Sequence, residues 1–141
     1  MSSSNQYVPA PKIAKQVPPA SFNVRDLIPD LVQAGELLSP ESFLARSGWT
    51  GHVLRRALAA RRIFFVDSGS LHYVPSFYAD PTLNRRHLGS VTKLLGDLPG
   101  GSKWRFFTTP KGSLSRQTPI QAVRRGQWAT VKVAAAGFAE R

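Results

Sequence analysis

Most apolar residues in this chain recur with a helical period, and one short stretch breaks that rule. Val24, Leu27, Ile28, Leu31 and Val32 are spaced by threes and fours, which puts them on one face of a helix within residues 23 to 38. Pro29 fits only inside the first turn of a helix, so the regular part is expected to begin near Ile28 and to end at Gly35. Ser39-Pro40-Glu41 reads as a helix start, with a Ser cap, Pro in the first helical position and an acid in the first turn. Phe43 and Leu44 are expected to face inward, and Gly48 to stop that helix. After Trp49, Thr50 can cap a second helix from about Gly51 to Ala60, with Val53, Leu54, Ala57 and Leu58 on its buried side. Two short helices joined by a Gly-containing turn make a helix-turn-helix unit.

At residue 63 the period changes. Ile63-Phe64-Phe65-Val66 and Leu71-His72-Tyr73-Val74 are rich in β-branched and aromatic residues. Asp67-Ser68-Gly69-Ser70 between them has turn composition, with Gly available for a positive φ, so a β-hairpin is predicted that ends at Pro75. Helical spacing returns over residues 82 to 98, where Leu83, His87, Leu88, Val91, Leu94, Leu95 and Leu98 share one broad face until Pro99-Gly100-Gly101 interrupts. Ser102 is expected to cap a short helix holding Trp104, Phe106 and Phe107. A loop runs from Thr109 through Gln117. Thr118-Pro119 opens a helix of a few residues that stops at Gly126, and an Ala-rich last helix covers about Gln127 to Ala139. No internal repeat is visible.

The fold class expected from these elements is mainly α with one β-hairpin. It comprises a helix-turn-helix with a wing-like hairpin over residues 22 to 80, followed by a small helical C-terminal module over 81 to 141. Residues 1 to 21 hold four prolines, a run of Ser and the cations Lys12 and Lys15 without apolar periodicity, and read as a flexible basic arm. The apolar share of 42% suffices for a real core in 141 residues, as one domain or two very small ones sharing it.

Charge sharpens the picture. Nineteen Lys+Arg face eight Asp+Glu, a net +11 that attracts polyanions, of which nucleic acid is the commonest for a basic protein. No apolar run is long enough to span a bilayer, and the first residues lack the pattern of a secretory signal. With no Cys there are no disulfides or thiolate metal sites, and a cytoplasmic location is expected. The three His lack ligand spacing, the acids are scattered, and phosphate-loop and dinucleotide glycine patterns are absent. The chain therefore reads as a non-enzyme without metal or cofactor.

The sharpest local signal lies between Glu41 and Asp67, where five Arg occur and no acid. In a helix-turn-helix the second helix enters the major groove and its N-terminal residues meet base edges. The positions expected to touch DNA are Thr50, Gly51, His52, Arg55 and Arg56, with Arg61 and Arg62 just beyond. Arg can bond a guanine edge through two hydrogen bonds, Thr can bond phosphate, and Gly51 permits close approach of a phosphate to the helix start. The competing reading is an amphipathic core helix whose polar side is basic. In the second half Gln121, Arg124, Arg125, Gln127 and Trp128 form the expected docking face for a partner protein or second subunit, with Trp128 as anchor or else as plain core.

Two resemblances rest on these residues. Residues 39 to 78 resemble the compact helix-turn-helix plus hairpin of small bacterial DNA-binding proteins that end in Tyr-x-Pro-x-Phe, here Tyr73-Val74-Pro75-Ser76-Phe77. Residues 104 to 136 resemble the toxin-binding domain of Xre/MbcA/ParS-type antitoxins. The residues that carry this likeness include Trp104, Phe107, Pro110, Leu114, Thr118-Pro119, Gly126 and Val131. The chain departs from that pattern at Lys111-Gly112 and Ser115-Arg116. The second resemblance implies an antitoxin-like transcriptional autoregulator whose partner is a RES-type toxin, with homodimerisation as the other use of that half. The rival readings are a phage- or plasmid-derived DNA-binding regulator without a toxin, and an RNA- or ribosome-associated basic protein. The last would need exposed aromatics interleaved with Arg, a role open to Trp49, Phe64 and Tyr73.

Overall fold

In the computed structural model, which describes residues 24–140, Gly48 sets the geometry of the first half. A helix over Pro40–Ser47 (α2) begins at Ser39, whose hydroxyl accepts from the Ser42 amide at 3.1 Å, and ends at Gly48 with φ +78. That left-handed turn carries almost no cost for Gly. The chain then reverses within three residues into a helix over Gly51–Ala59 (α3), capped by Thr50, whose hydroxyl accepts from the Val53 amide at 3.1 Å. Phe43 is fully buried beneath the turn and meets Trp49 edge-on at 5.1 Å. Burying such a ring contributes about 1.5–3 kcal/mol. Caps, stop and helix pair agree with the sequence. The flexible arm expected over residues 1–21 lies outside the described residues.

Upstream of α2 the helix keeps close to its expected bounds, and an unexpected strand follows it. A 3-10 turn over Val24–Leu27 leads into a helix of only Ile28–Gln33 (α1). Past Gly35, also in the left-handed region, Leu37–Leu38 form a strand (β1) that the helical spacing did not predict. Both leucines are buried, on opposite faces of the strand. The hairpin exists but is shifted. Its strands are Val66–Ser68 (β2) and Leu71–Pro75 (β3), paired Val66 with Tyr73, Asp67 with His72 and Ser68 with Leu71. Asp67 and Ser68 thus belong to the strand, and the turn is Gly69-Ser70 alone. Ile63 and Phe64, read as strand, instead plug the core as irregular chain. Strand β3 also pairs with β1, Val74 with Leu38 and Pro75 with Leu37, which gives a three-stranded antiparallel sheet in the order β1-β3-β2.

The second half consists of helices over Arg85–Leu94 (α4), Gly100–Thr108 (α5), Pro119–Arg124 (α6) and Trp128–Ala139 (α7). Helix α4 is capped by Asn84, which accepts from the His87 amide. Ser102 is not a cap: α5 already starts at Gly100, directly after Pro99. The reason is contact. A Cβ on Gly100 would sit 1.9 Å from the Phe65 carbonyl oxygen, so only Gly lets this helix start abut the strand. The 109–117 connection, read as a loop, holds a short 3-10 turn over Gly112–Leu114. Thr118 opens α6 through a full capping box with Gln121, and Gly126 closes it at φ +82.

One core joins the two halves. Phe64 stacks on Phe107 at 6.2 Å, and Phe77 lies 5.0 Å from Phe107 and 6.0 Å from Trp104. Trp104, Phe107, Leu114, Val123 and Val131 belong to one buried cluster, with Ile120 packed against it. Lys103 reaches over the Phe64 ring at 5.9 Å, and burial pushes its pKa below the ordinary lysine value, helped by nearby Arg61. Asp80 ties the chain between the halves. It accepts from the Thr82 hydroxyl at 2.6 Å and the Thr82 amide at 2.8 Å, and pairs with Arg124 of α6 at 2.8 Å. The Thr82 bonds, with Arg124, hold its carboxyl below the usual carboxylate range.

Two predictions follow from this packing. Thr92 is wholly buried and donates to the Leu88 carbonyl at 2.8 Å, so the buried Tyr78 hydroxyl must donate to Thr92 at 2.6 Å. Tyr78→Phe removes a donor and should cost about 1 kcal/mol, whereas Thr92→Val strands that donor and should cost about 2 kcal/mol, as read by denaturant unfolding. Asp80 has a lowered folded pKa, so its contribution is complete above the ordinary value near ~4 and is lost as pH falls through the lower folded value. Asp80→Asn should be less stable than the parent at neutral pH, with the gap closing in acid. A gap that is constant with pH would contradict the assignment.

Candidate nucleic-acid interface

Helix α3 presents a cationic outer surface because its apolar residues are concentrated on the other side. Leu54 is buried, while His52, Arg55 and Arg56 are exposed. Val53, expected in the core, is instead 41% exposed. It turns toward α4 and lines a cleft between the two helices. The Thr50 hydroxyl is engaged as a cap acceptor, but its O–H stays available as a donor. The Arg55 guanidinium folds back over the helix start, 3.3 Å from where a Cβ on Gly51 would stand. Five of the seven residues expected to meet DNA therefore sit at or near the first turns of α3, on its open side.

Arg61 and Arg62 leave α3 differently. The Arg61 amide donates to the Leu58 carbonyl and the Arg62 amide to the Ala57 carbonyl, the two bonds of a Schellman ending. Arg61 occupies the position usually filled by Gly, at φ +61, and forms an ion pair with Asp97. Arg62 lays its stem across α4 at Gly89, where a Cβ would come within 3.2 Å of the Arg62 Cβ. Arg62 also lines the cleft.

The cleft between α3 and α4 has a volume of about 810 Å³. Its walls carry Arg56 and Arg62 on one side and Arg85, Arg86 and Lys93 of α4 on the other, with no acid among the lining residues. Arg85 lies 4.8 Å from the centre of the Trp49 ring, which joins α4 to the α2–α3 turn. The three α4 cations were not singled out in the sequence. The signal available was the helical spacing of Arg86, Ser90 and Lys93, which falls on one stripe. At the hairpin, Asp67 faces His72 at 2.7 Å, and His72 stacks on Phe65 at 5.1 Å. Leu71 at the tip is exposed.

The expected partner face is mostly engaged within the chain. Gln121 closes the capping box with Thr118, Arg124 holds Asp80 and Thr82, and the Gln127 side-chain oxygen accepts from the Gln117 side-chain amide at 2.9 Å. Trp128 is half-buried, stacked on His87 at 4.5 Å and approached by Lys132 at 5.1 Å. Arg125 points outward and is exposed. Among the described residues no cluster of His, Cys, Asp or Glu is arranged to hold a metal ion, and no helix is long and apolar enough to cross a membrane.

Strain at Arg61 gives a prediction. A non-Gly residue in the left-handed region costs about 1 kcal/mol, and an exposed ion pair returns between nothing and that much. Arg61→Gly should therefore keep or raise the melting temperature, and a clear fall would show the pair with Asp97 to matter more than the backbone. Comparison of the chain with protein-family models, with curated proteins and with solved structures finds no match.

Proposed function

We propose that this protein binds duplex DNA, with α2 and α3 as a helix-turn-helix, α3 as the helix that enters the major groove, and the β2–β3 hairpin as a wing. The observation that carries this reading is the open face of α3. Thr50, His52, Arg55 and Arg56 stand there together, continuous with Arg62, Arg85, Arg86 and Lys93, and no carboxylate interrupts the cleft. Helix-turn-helix proteins read base edges from the N-terminal part of such a helix, and Arg paired to guanine is the commonest specific contact. An RNA-associated role would need rings open for stacking. Phe64 is buried, Tyr73 is packed against the core, and the half-buried Trp49 already carries Arg85 over its ring.

The resemblance of residues 104–136 to a toxin-binding domain extends the proposal to an autoregulator with a protein partner. One observation supports a contact on that half. Helix α7 has a single charged residue, Lys132, and Val133 on its outer side is 74% exposed. A helix that is apolar around most of its circumference is usually covered on both sides. The occupant we favour is a second copy of the chain, since helix-turn-helix proteins commonly bind two half-sites as dimers.

Selection from a randomised duplex pool should return one enriched motif. Against that motif Arg55→Ala should cost about 1–3 kcal/mol, with little loss on unrelated duplexes. Equal binding by parent and variant would remove α3 as the reading helix, and tighter binding to single-stranded RNA than to duplex would favour the rival. Light scattering tests the second half: the parent should have the mass of a dimer, Val133→Glu that of a monomer, and Trp128→Ala should melt lower with the parent's mass. A monomeric parent would remove the dimer reading.

A further inference from the structure

We propose that the α3–α4 cleft seats the sugar–phosphate backbone of one DNA strand, as a sequence-blind clamp that sets how α3 enters the groove. This inference rests on the DNA-binding reading and assigns the cleft a separate task within it. Arg86, Ser90 and Lys93 form a stripe along α4, two turns long. Seven residues of helix span about 10 Å, a length that reaches more than one phosphate of a strand. Arg56 and Arg62 face that stripe from the other wall. Among the described residues, none of Arg56, Arg62, Arg86 and Lys93 is held in an ion pair, whereas Arg61 and Arg124 are. These cations are therefore arranged for an anion from outside the described fold.

The floor and the mounting suit a backbone better than a base. Val53, Ala57 and Ala60 offer no side-chain donor or acceptor to read a base edge, and Trp49 is already covered by Arg85. The wall is rigidly held from behind. Thr92, on the opposite side of α4 from the stripe, bonds Tyr78, and Gly89 admits the Arg62 stem against the helix. Interactions with phosphate position a protein on the duplex, and interactions with base edges specify sequence. The division here is between Arg62, Arg86 and Lys93 as positioning residues and Thr50, His52 and Arg55 as readers.

The test is the salt dependence of binding to two duplexes, the selected motif and a mixed-sequence control of equal length. Arg86→Ala/Lys93→Ala should weaken both duplexes by the same factor and flatten the log–log salt slope by about 2, one for each phosphate no longer neutralised. Arg55→Ala should weaken the selected motif far more than the control. Exchanging the cations, Arg86→Lys with Lys93→Arg, should restore most of the slope, and melting temperatures near the parent's confirm that each variant folds. A double Ala variant that keeps the parent's slope overturns the clamp and leaves the DNA reading standing. Weakening confined to the selected motif also overturns it, because the cleft would then be reading sequence. A parent that binds neither duplex removes the DNA reading and the clamp together.

Discussion

Phe64 lies nearly parallel to Phe107 at 6.2 Å, with Phe77 wedged against both and Trp104 beyond it. Almost every feature of the basic face depends on this aromatic packing. Phe64 follows closely on the end of α3, and Phe107 belongs to α5, so the stack fixes α3 to the second half. Phe77 and Tyr78 follow the sheet, and Tyr78 reaches Thr92 on α4. The rings thus set the spacing between α3 and α4 and hold the cleft open. Gly100 adds the steric condition, because α5 can approach the sheet only where no Cβ meets the Phe65 carbonyl.

That arrangement lets a chain of net +11 tolerate its own charge. Bringing Arg56, Arg62, Arg85, Arg86 and Lys93 to one cleft costs electrostatic repulsion, which water and salt reduce but do not remove. The packing behind the cleft supplies the offsetting free energy. Elsewhere three of the eight acids hold local structure: Asp97 with Arg61, Asp80 with Arg124, Asp67 with His72. Among the described residues the basic cleft gathers cations without such partners, and in the proposed reading that asymmetry directs a polyanion to it.

Local signals in the sequence were legible, and long-range ones were not. Ser39, Thr50 and Gly48 mark helix ends through bonds within a few residues, so their roles could be read in advance. The Thr118-Pro119 start and Gly126 stop were legible for the same reason. Strand β1 was missed because two residues carry no alternation of their own, and only pairing with Val74 and Pro75 makes them a strand. The hairpin slipped because Ile63 and Phe64 have strand composition but are drawn into the aromatic core. The candidate site was half visible. Arg55 and Arg56 lie on a capped helix, whereas Arg85, Arg86 and Lys93 join them only through the packing of α4. The expected docking face was obscured in the same way, since Arg124 and Gln127 find their partners in segments distant in sequence or across a loop.

The account claims that one face of the molecule, the open side of α3 with the α4 stripe, meets duplex DNA. Amide and side-chain NMR of the labelled protein, titrated with the selected duplex, tests it most directly. The account predicts shift changes concentrated at residues 50 to 56, at Arg62 and along 85 to 93, with α6 and the outer side of α7 unmoved. Changes centred on α5 to α7, with α3 and α4 silent, would contradict it.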